Sequence, residues 1–187
     1  MENRKTQIID LALKLIQQKG YVAFSYDDIS KPLGITKASV HYHFEKKEDL
    51  GVAVGEQILQ SLQKLSMAAK DPSLTVQDKL MLFINKRTEQ FTRTEICPIS
   101  SLQADFESLP DRVREKVEEI SQLEMTIMQT IVAEALNKEQ TGGKDDSQSL
   151  SVAILASIKG ALIYRRVLGD SVLEEVLKDI NQRLKTA

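Results

Sequence analysis

Apolar residues in this chain recur every three or four positions from one end to the other, and nowhere do they alternate with period two. Ile8, Ala12, Leu15 and Ile16 fall on one helix face, and Gly20 behind Lys19 reads as a stop. Ile29 and Leu33 form an i,i+4 pair that ends at Gly34, and a third short helix carries Val40 towards Phe44. Leu50, Val54, Ile58, Leu62 and Leu65 share a longer stripe that stops before Asp71 and Pro72. Beyond it, Val76, Leu80, Phe83, Ile84 and Phe91 make another stripe, and Ile99, Leu102 and Phe106 sit on a short helix between Pro98 and Pro110. Val113, Val117, Ile120, Ile127, Met128 and Ile131 follow, and past a loop around Gly142 and Gly143 two final helices are expected near 149–167 and 171–184. The pattern predicts an all-α protein of about nine helices.

Composition removes the competing classes. Eight Gly and four Pro in 187 residues are too few turn-formers for a many-stranded sandwich or barrel. One Cys excludes an intrachain disulfide and a multi-Cys zinc site, and neither His has a partner at metal-ligand spacing. No apolar run approaches the ~18 residues that cross a bilayer, and the opening residues lack the apolar stretch of a signal peptide, so a soluble cytoplasmic chain with no membrane partner is expected. An enzyme on a helical bundle needs a metal or nucleophile constellation, and the sequence offers neither a Glu-x-x-His pattern nor a nucleotide loop. No cofactor is expected. The formal charge is −2; residues 1–50 carry eight basic and seven acidic side chains, residues 51–187 seventeen and twenty. A contact with nucleic acid would therefore rest on placed residues rather than a broad basic field.

Tyr26 to Phe44 carries the most specific signal. It reads as a helix, a short turn containing Gly34, and a second helix, which is the helix-turn-helix unit. Gly34 supplies the positive φ of the turn. Thr36 is placed to cap the second helix, leaving Lys37, Ala38 and Ser39 as its first turn, the part that faces base edges in a major groove. Pro32 is out of place inside the first helix and predicts that this helix is short. The chain then divides as a three-helix helix-turn-helix domain, 1–46, joined to a larger helical bundle, 47–187.

With its flanks this stretch resembles the TetR family of bacterial one-component transcriptional regulators. The shared pattern is Lys19-Gly20-Tyr21, Phe24-Ser25, Ile29, Leu33-Gly34-Ile35-Thr36-Lys37, Tyr42-His43-Phe44 and Lys47-Glu48-Asp49-Leu50. The sequence departs from the pattern at His41, where Tyr is usual, and at Asp27 and Asp28, where neutral or basic residues are common and where a carboxylate would repel the DNA backbone. The resemblance implies a homodimer on a palindromic double-stranded DNA operator, a repressor released by a small-molecule effector. Lys37 is the candidate for guanine O6 and N7. Ala38 and Ser39 approach a thymine methyl or a phosphate. Tyr42 gives its hydroxyl to a phosphate, with His41 beside it, or else packs on the first helix. Ser25 and Tyr26 open the first helix of the unit, Ser25 as a cap, a phosphate contact or both. Lys47, in the first turn of the fourth helix, forms an anion site with free N–H groups.

In the larger region, Arg87 and Glu124 interrupt apolar stripes. A charge there must be paired or face a cavity. Either the two pair with each other or lie at a stripe's edge, or they line an effector pocket with Phe83, Phe91, Phe106, Met128 and Tyr164, each of which also reads as plain core. Cys97, at a helix start, resembles a Cys-bearing position in a branch of the family that senses electrophiles or oxidants; the alternative is a buried small apolar group. Ala153, Ser157, Gly160 and Ala161 would let two helices approach closely, and the resemblance implies a two-fold four-helix interface there. A helical dimer that binds proteins and has no DNA affinity is the alternative function; the modest charge of the head and the two aspartates favour it slightly.

Overall fold

The computed structural model describes residues 3–88, 92, 95–137 and 144–186, and among these all regular structure is helical. The order is α1 (Arg4–Lys19), α2 (Tyr26–Ser30), α3 (Lys37–His43), α4 (Lys47–Ala69), α5 (Val76–Thr88), α6 (Pro98–Ala104), a single 3-10 turn (Phe106–Ser108), α7 (Asp111–Asn137), α8 (Lys144–Leu168) and α9 (Ser171–Thr186). Among the described residues the stripes read from the sequence form the buried faces, with three adjustments. Phe106, expected on the short helix, stands half-buried in the 3-10 turn after it. The penultimate helix starts at Lys144, five residues earlier than its apolar pattern, because the polar first turn has no apolar residue to announce it. The first helix of the helix-turn-helix ends at Ser30, so Pro32 and Leu33 lie in the turn. Proline has no N–H to give a helix, and its position after the last helical residue removes the conflict. The turn closes through the N–H of Ile35 on the carbonyl of Ser30, with Gly34 at φ 62°.

Two compact units divide the chain. One comprises residues 1–60 and 98–121, the other 61–97 and 122–187; α4 and α7 supply residues to both. The first unit therefore holds more than the first three helices. Its core takes Ile8, Ala12 and Ile16 from α1, Tyr21 and Phe24 from the following loop, Ile29, Val40 and Phe44 from the helix-turn-helix, and Leu50 and Val54 from α4. Leu102 of α6 and Val113 and Val117 of α7 are buried in the same unit. Phe106, read as a wall of an effector pocket, belongs here as well.

α6 is tied to α1 by polar contacts that sequence periodicity does not reveal. The Ser101 hydroxyl donates to the carbonyl of Ile16 at 2.7 Å. The Asp105 carboxylate accepts the N–H groups of Tyr21 at 2.7 Å and Val22 at 3.3 Å, just past the end of α1. Those N–H groups leave the helix at Gly20, whose φ of 85° bends the chain away, and Asp105 gives them the acceptor that the helix no longer can. A Cβ on Gly20 would stand 2.8 Å from that carboxylate. At Gly51 of α4 a Cβ would stand 2.8 Å from the Tyr21 ring and 2.9 Å from Val113. α4 and α7 are further joined by Arg112 on Asp49 at 2.7 Å and by Lys116 on Glu56 at 2.5 Å.

The second unit is built on α8 packed against α9, with Phe83, Leu80 and Ile84 of α5, Ile127, Met128 and Ile131 of α7, and Ile154, Ile158 and Ala161 of α8 all buried. Gly169, at φ 96°, makes the turn between α8 and α9. Two buried ion pairs cross this interior: Lys79 with Glu134, and Lys159 with Glu124 at 2.6 Å.

Replacing Asp105 by Ala leaves two backbone donors without their acceptor. It is expected to destabilise the fold by about 1–3 kcal/mol, read as a lower denaturant midpoint at unchanged slope. Gly51→Val is expected to cost about the same through overpacking against Tyr21 and Val113.

Candidate nucleic-acid interface

The exposed side of α3 is set by what its other side must bury. Val40 is wholly buried and Phe44 is 4% exposed, and they seat the helix on α2. Tyr26 of α2 is 6% exposed, and its hydroxyl donates to the carbonyl of Phe44 at 2.8 Å, closing the C-terminal end of α3. Tyr26 was expected among the DNA-facing residues; its side chain instead belongs to the core, because the ring is needed to fill the space between α2 and α3. Burial pushes its phenol up to about 12, with the Asp49 carboxylate adding to the rise. Tyr21 is pushed up to about 12 for the same reason, aided by Glu48.

With Val40 and Phe44 inward, Lys37, Ala38, His41 and Tyr42 face out, and Ser39 is half-buried. Thr36 caps α3 by accepting the N–H of Ser39 at 3.1 Å. Tyr42 is 87% exposed, its ring edge-on to His43, so it does not pack on α1 or α2. His41 stands over the Tyr26 ring at 4.7 Å with Nδ1 3.0 Å from the carbonyl of Glu45. The helix thus presents a cation, a small side chain, an imidazole and a phenol on one surface. That set can meet phosphates and base edges.

The two aspartates of α2 have different partners. Asp28 accepts the Ser25 N–H at 2.7 Å and the Ser25 hydroxyl at 2.8 Å, and binds Lys19 at 2.8 Å. These donors hold its carboxyl well below the usual carboxylate range, Lys19 contributing most. Ser25 is therefore the start residue of α2, with its hydroxyl turned to Asp28. Asp27 reaches across to the recognition helix and binds Lys37 at 2.9 Å. Neither pair was legible as sequence, because nine and ten residues separate the partners and a turn of the right geometry lies between them.

Lys47 differs from its expected place as a phosphate anchor. Its amine donates to the carbonyls of Val22 at 3.2 Å and Phe24 at 2.5 Å, and lies 4.3 Å from the Phe24 ring centre and 4.7 Å from that of Tyr21. Burial pushes its pKa down. Two carbonyls and two ring faces hold the cation inward, so Lys47 stitches the start of α4 to the loop between α1 and α2.

The described residues among those read as an effector pocket stand in different surroundings. Phe83 and Met128 are buried in the core of the second unit, and Cys97 is buried at 3% exposure. Glu124, 1% exposed, is held by Lys159 of α8. Tyr164 is 61% exposed on the outer side of α8. Phe91 and the Arg87 side chain lie outside the described residues. Two clefts occur elsewhere, one of about 460 Å³ between α5 and α9 beside Met81, Leu177 and Asn181, and one of about 230 Å³ in the first unit beside Val52, Glu56 and Lys116.

The outer side of α8 is an arrangement that the sequence reading only partly anticipated. Val152, Ile163, Tyr164, Val167 and Leu168 are 47–82% exposed, and Ala153, Ala156 and Ser157 lie on the same exposed side. Ala161, grouped with the small residues of this helix, faces the core at 3% exposure. A side chain on Gly160 would meet nothing within 4 Å. A helix apolar on both sides is the sequence signal of such a second face.

An all-helical chain that opens with a helix-turn-helix and presents the first turn of its second helix to solvent defines a class, the helix-turn-helix transcriptional regulators. Comparison with known proteins agrees. The family described as bacterial regulatory proteins, tetR family, matches residues 8–54, and the tetracyclin repressor-like C-terminal domain matches residues 78–179. The chain belongs to the TetR family. A biofilm operon negative transcriptional regulator, IcaR of Staphylococcus epidermidis, is 48% identical over 46 residues, a match that spans 25% of this chain and 25% of that relative. A TetR transcriptional regulator from Legionella pneumophila superposes with a TM-score of 0.84 at 29% identity over 98% of both chains. One from Agrobacterium tumefaciens superposes with a TM-score of 0.84 at 22% identity over 96% of both, and shares the fold.

Tyr26 and Tyr21 must ionise when the chain unfolds in alkali. Each is a neutral acid whose folded pKa lies above its ordinary value, so its contribution is complete below about pH 10 and is lost as pH rises through about 12. The melting temperature is expected to fall across that window. Tyr26→Phe is expected to flatten the fall and to remove one late phenolate from the near-ultraviolet titration.

Proposed function

We propose that the protein is a homodimeric repressor that places α3 of each protomer in successive major grooves of a near-palindromic operator. The observation that carries this reading is the division of α3: Val40 and Phe44 are hidden, while Lys37, Ala38, His41 and Tyr42 are open to solvent. Lys37, Ala38 and Ser39 at the capped start of α3 read base edges, and the exposed Tyr42 hydroxyl meets a phosphate with His41 beside it. Tyr26 supports the helix from behind, while Lys47 and Ser25 hold the loop and the start of α2 on which it sits.

A two-fold dimer supplies the second head at the ~34–36 Å spacing of two half-sites. The outer stripe of α8 supports this. Ala153, Ala156, Ser157 and Gly160 allow close helix approach, and Ile163, Val167 and Leu168 add apolar area that water would otherwise cover. An effector binds in the second unit, where Glu124 and Lys159 put a buried charge pair in an apolar interior. It releases DNA only through different affinity for the two head spacings.

The test is a gel shift with duplexes selected by the protein from random-sequence DNA. A selected palindrome whose half-centres lie about one helical turn apart supports the reading. No shift at low salt with any duplex sinks it and leaves the helical protein-binding module. Lys37→Ala is expected to relax base preference at one position of each half-site, worth about 1–3 kcal/mol of discrimination. Val167→Glu on α8 is expected to leave the protomer folded, to give a monomer by light scattering at micromolar concentration, and to abolish the shift.

A further inference from the structure

We infer that Asp27 is a specificity-determining residue, which acts by holding Lys37 and making the recognition helix poor at binding DNA of the wrong sequence. This rests on the DNA-binding reading above and deepens it. The Asp27 carboxylate lies 2.9 Å from the Lys37 amine, and the two side chains are 50% and 52% exposed, so both remain within reach of an approaching duplex. Asp27 has no comparable task in the fold. The carboxylate that receives the Ser25 donors at the start of α2 is that of Asp28, which also binds Lys19. In its own helix Asp27 accepts from Lys31 through its backbone carbonyl, and its carboxylate adds only the favourable charge of any acid in a first helical turn.

The consequence follows from the charge. Lys37 and Asp27 together are neutral. A lysine alone at the start of α3 would neutralise a phosphate of any sequence and release a counterion, strengthening all binding alike. With Asp27 attached, the same move brings a carboxylate against a phosphate, and the gain is cancelled. Guanine presents O6 and N7, which are acceptors without formal charge, and the Lys37 ammonium has donors to spare for them while Asp27 keeps its own. The carboxylate is therefore tolerated where Lys37 reads a base edge and penalised where it meets the backbone. Specificity here comes from an element that repels the wrong partner rather than one that attracts the right one.

The test measures binding by fluorescence anisotropy across a salt series. The parent, Asp27→Asn, Asp27→Ala, Lys37→Ala and the double variant Asp27→Asn/Lys37→Ala are compared on a duplex selected by the parent and on poly(dA-dT), which has no guanine O6 and N7 pair. Circular dichroism melting verifies that each variant is folded. Both Asp27 variants are expected to bind poly(dA-dT) close to tenfold more tightly at ~0.1 M salt, with a salt slope steeper by about one, the mark of one added phosphate contact. Affinity for the selected duplex should change by less than about threefold, so the ratio of the two affinities falls. In the Lys37→Ala background, Asp27→Asn should give no comparable gain, because the effect passes through Lys37. Unchanged affinity and slope on poly(dA-dT), or a gain that persists without Lys37, overturns this inference while leaving the DNA-binding reading intact. A parent that binds neither DNA overturns both.

Discussion

The bond from the Tyr26 hydroxyl to the carbonyl of Phe44 ties the first helix of the helix-turn-helix to the end of the second, and the outward face of α3 depends on it. A buried phenol must find a partner, and the residue that caps the C-terminal end of a seven-residue helix leaves a carbonyl that needs one. Val40 and Phe44 then have no other direction in which to turn, and Lys37, Ala38, His41 and Tyr42 are left outside. So short a helix has little stability of its own and takes its geometry from these contacts.

The same logic of satisfied groups extends outward from the head. Lys47 holds the loop after α1 from one side, and Asp105 collects two N–H groups of that loop from another. Ser101 adds a bond to the last turn of α1. Asp105 and Lys47 satisfy backbone groups of the loop that follows α1, and Ser101 adds a second donor to the Ile16 carbonyl, which already accepts the N–H of Gly20. The unit that carries α3 accordingly includes α6 and the first part of α7, with Gly51 letting α4 close on Tyr21 and Val113. Its surface charges are arranged as sparingly as its net charge suggests. Two lysines of the head are committed to carboxylates of α2, Lys19 to Asp28 and Lys37 to Asp27. A head of this kind gains little from attraction at a distance and depends on fit.

In the second unit, α8 is apolar on two sides. Ile154, Ile158 and Ala161 look into the core, while Val152, Ile163 and Val167 look out. The buried charges of that core are paired within it, Glu124 with Lys159 and Lys79 with Glu134. Glu124 is met by a lysine of α8, a helix that contributes it from a half-polar position; the Arg87 side chain, the other candidate partner, lies outside the described residues.

The helical class, the placement of the helix-turn-helix, the cap at Thr36 and the turn at Gly34 could all be read from residues alone, because each depends on neighbours within about four positions. Pro32 told of a short helix for the same local reason. Which side chains of the head reach DNA was not local information. Tyr26 and Lys47 have the chemistry of phosphate contacts and were turned inward by partners 18 and 23 to 25 residues away. Asp27 seemed a repulsive charge until the turn brought it to Lys37. The grouping of the residues read as an effector pocket is no more local: helical spacing tells which residues share a face, but not which face of another helix will meet it. Periodicity is a property of the chain, whereas the choice among partners for a charged or aromatic side chain is made by packing, after the helices have met.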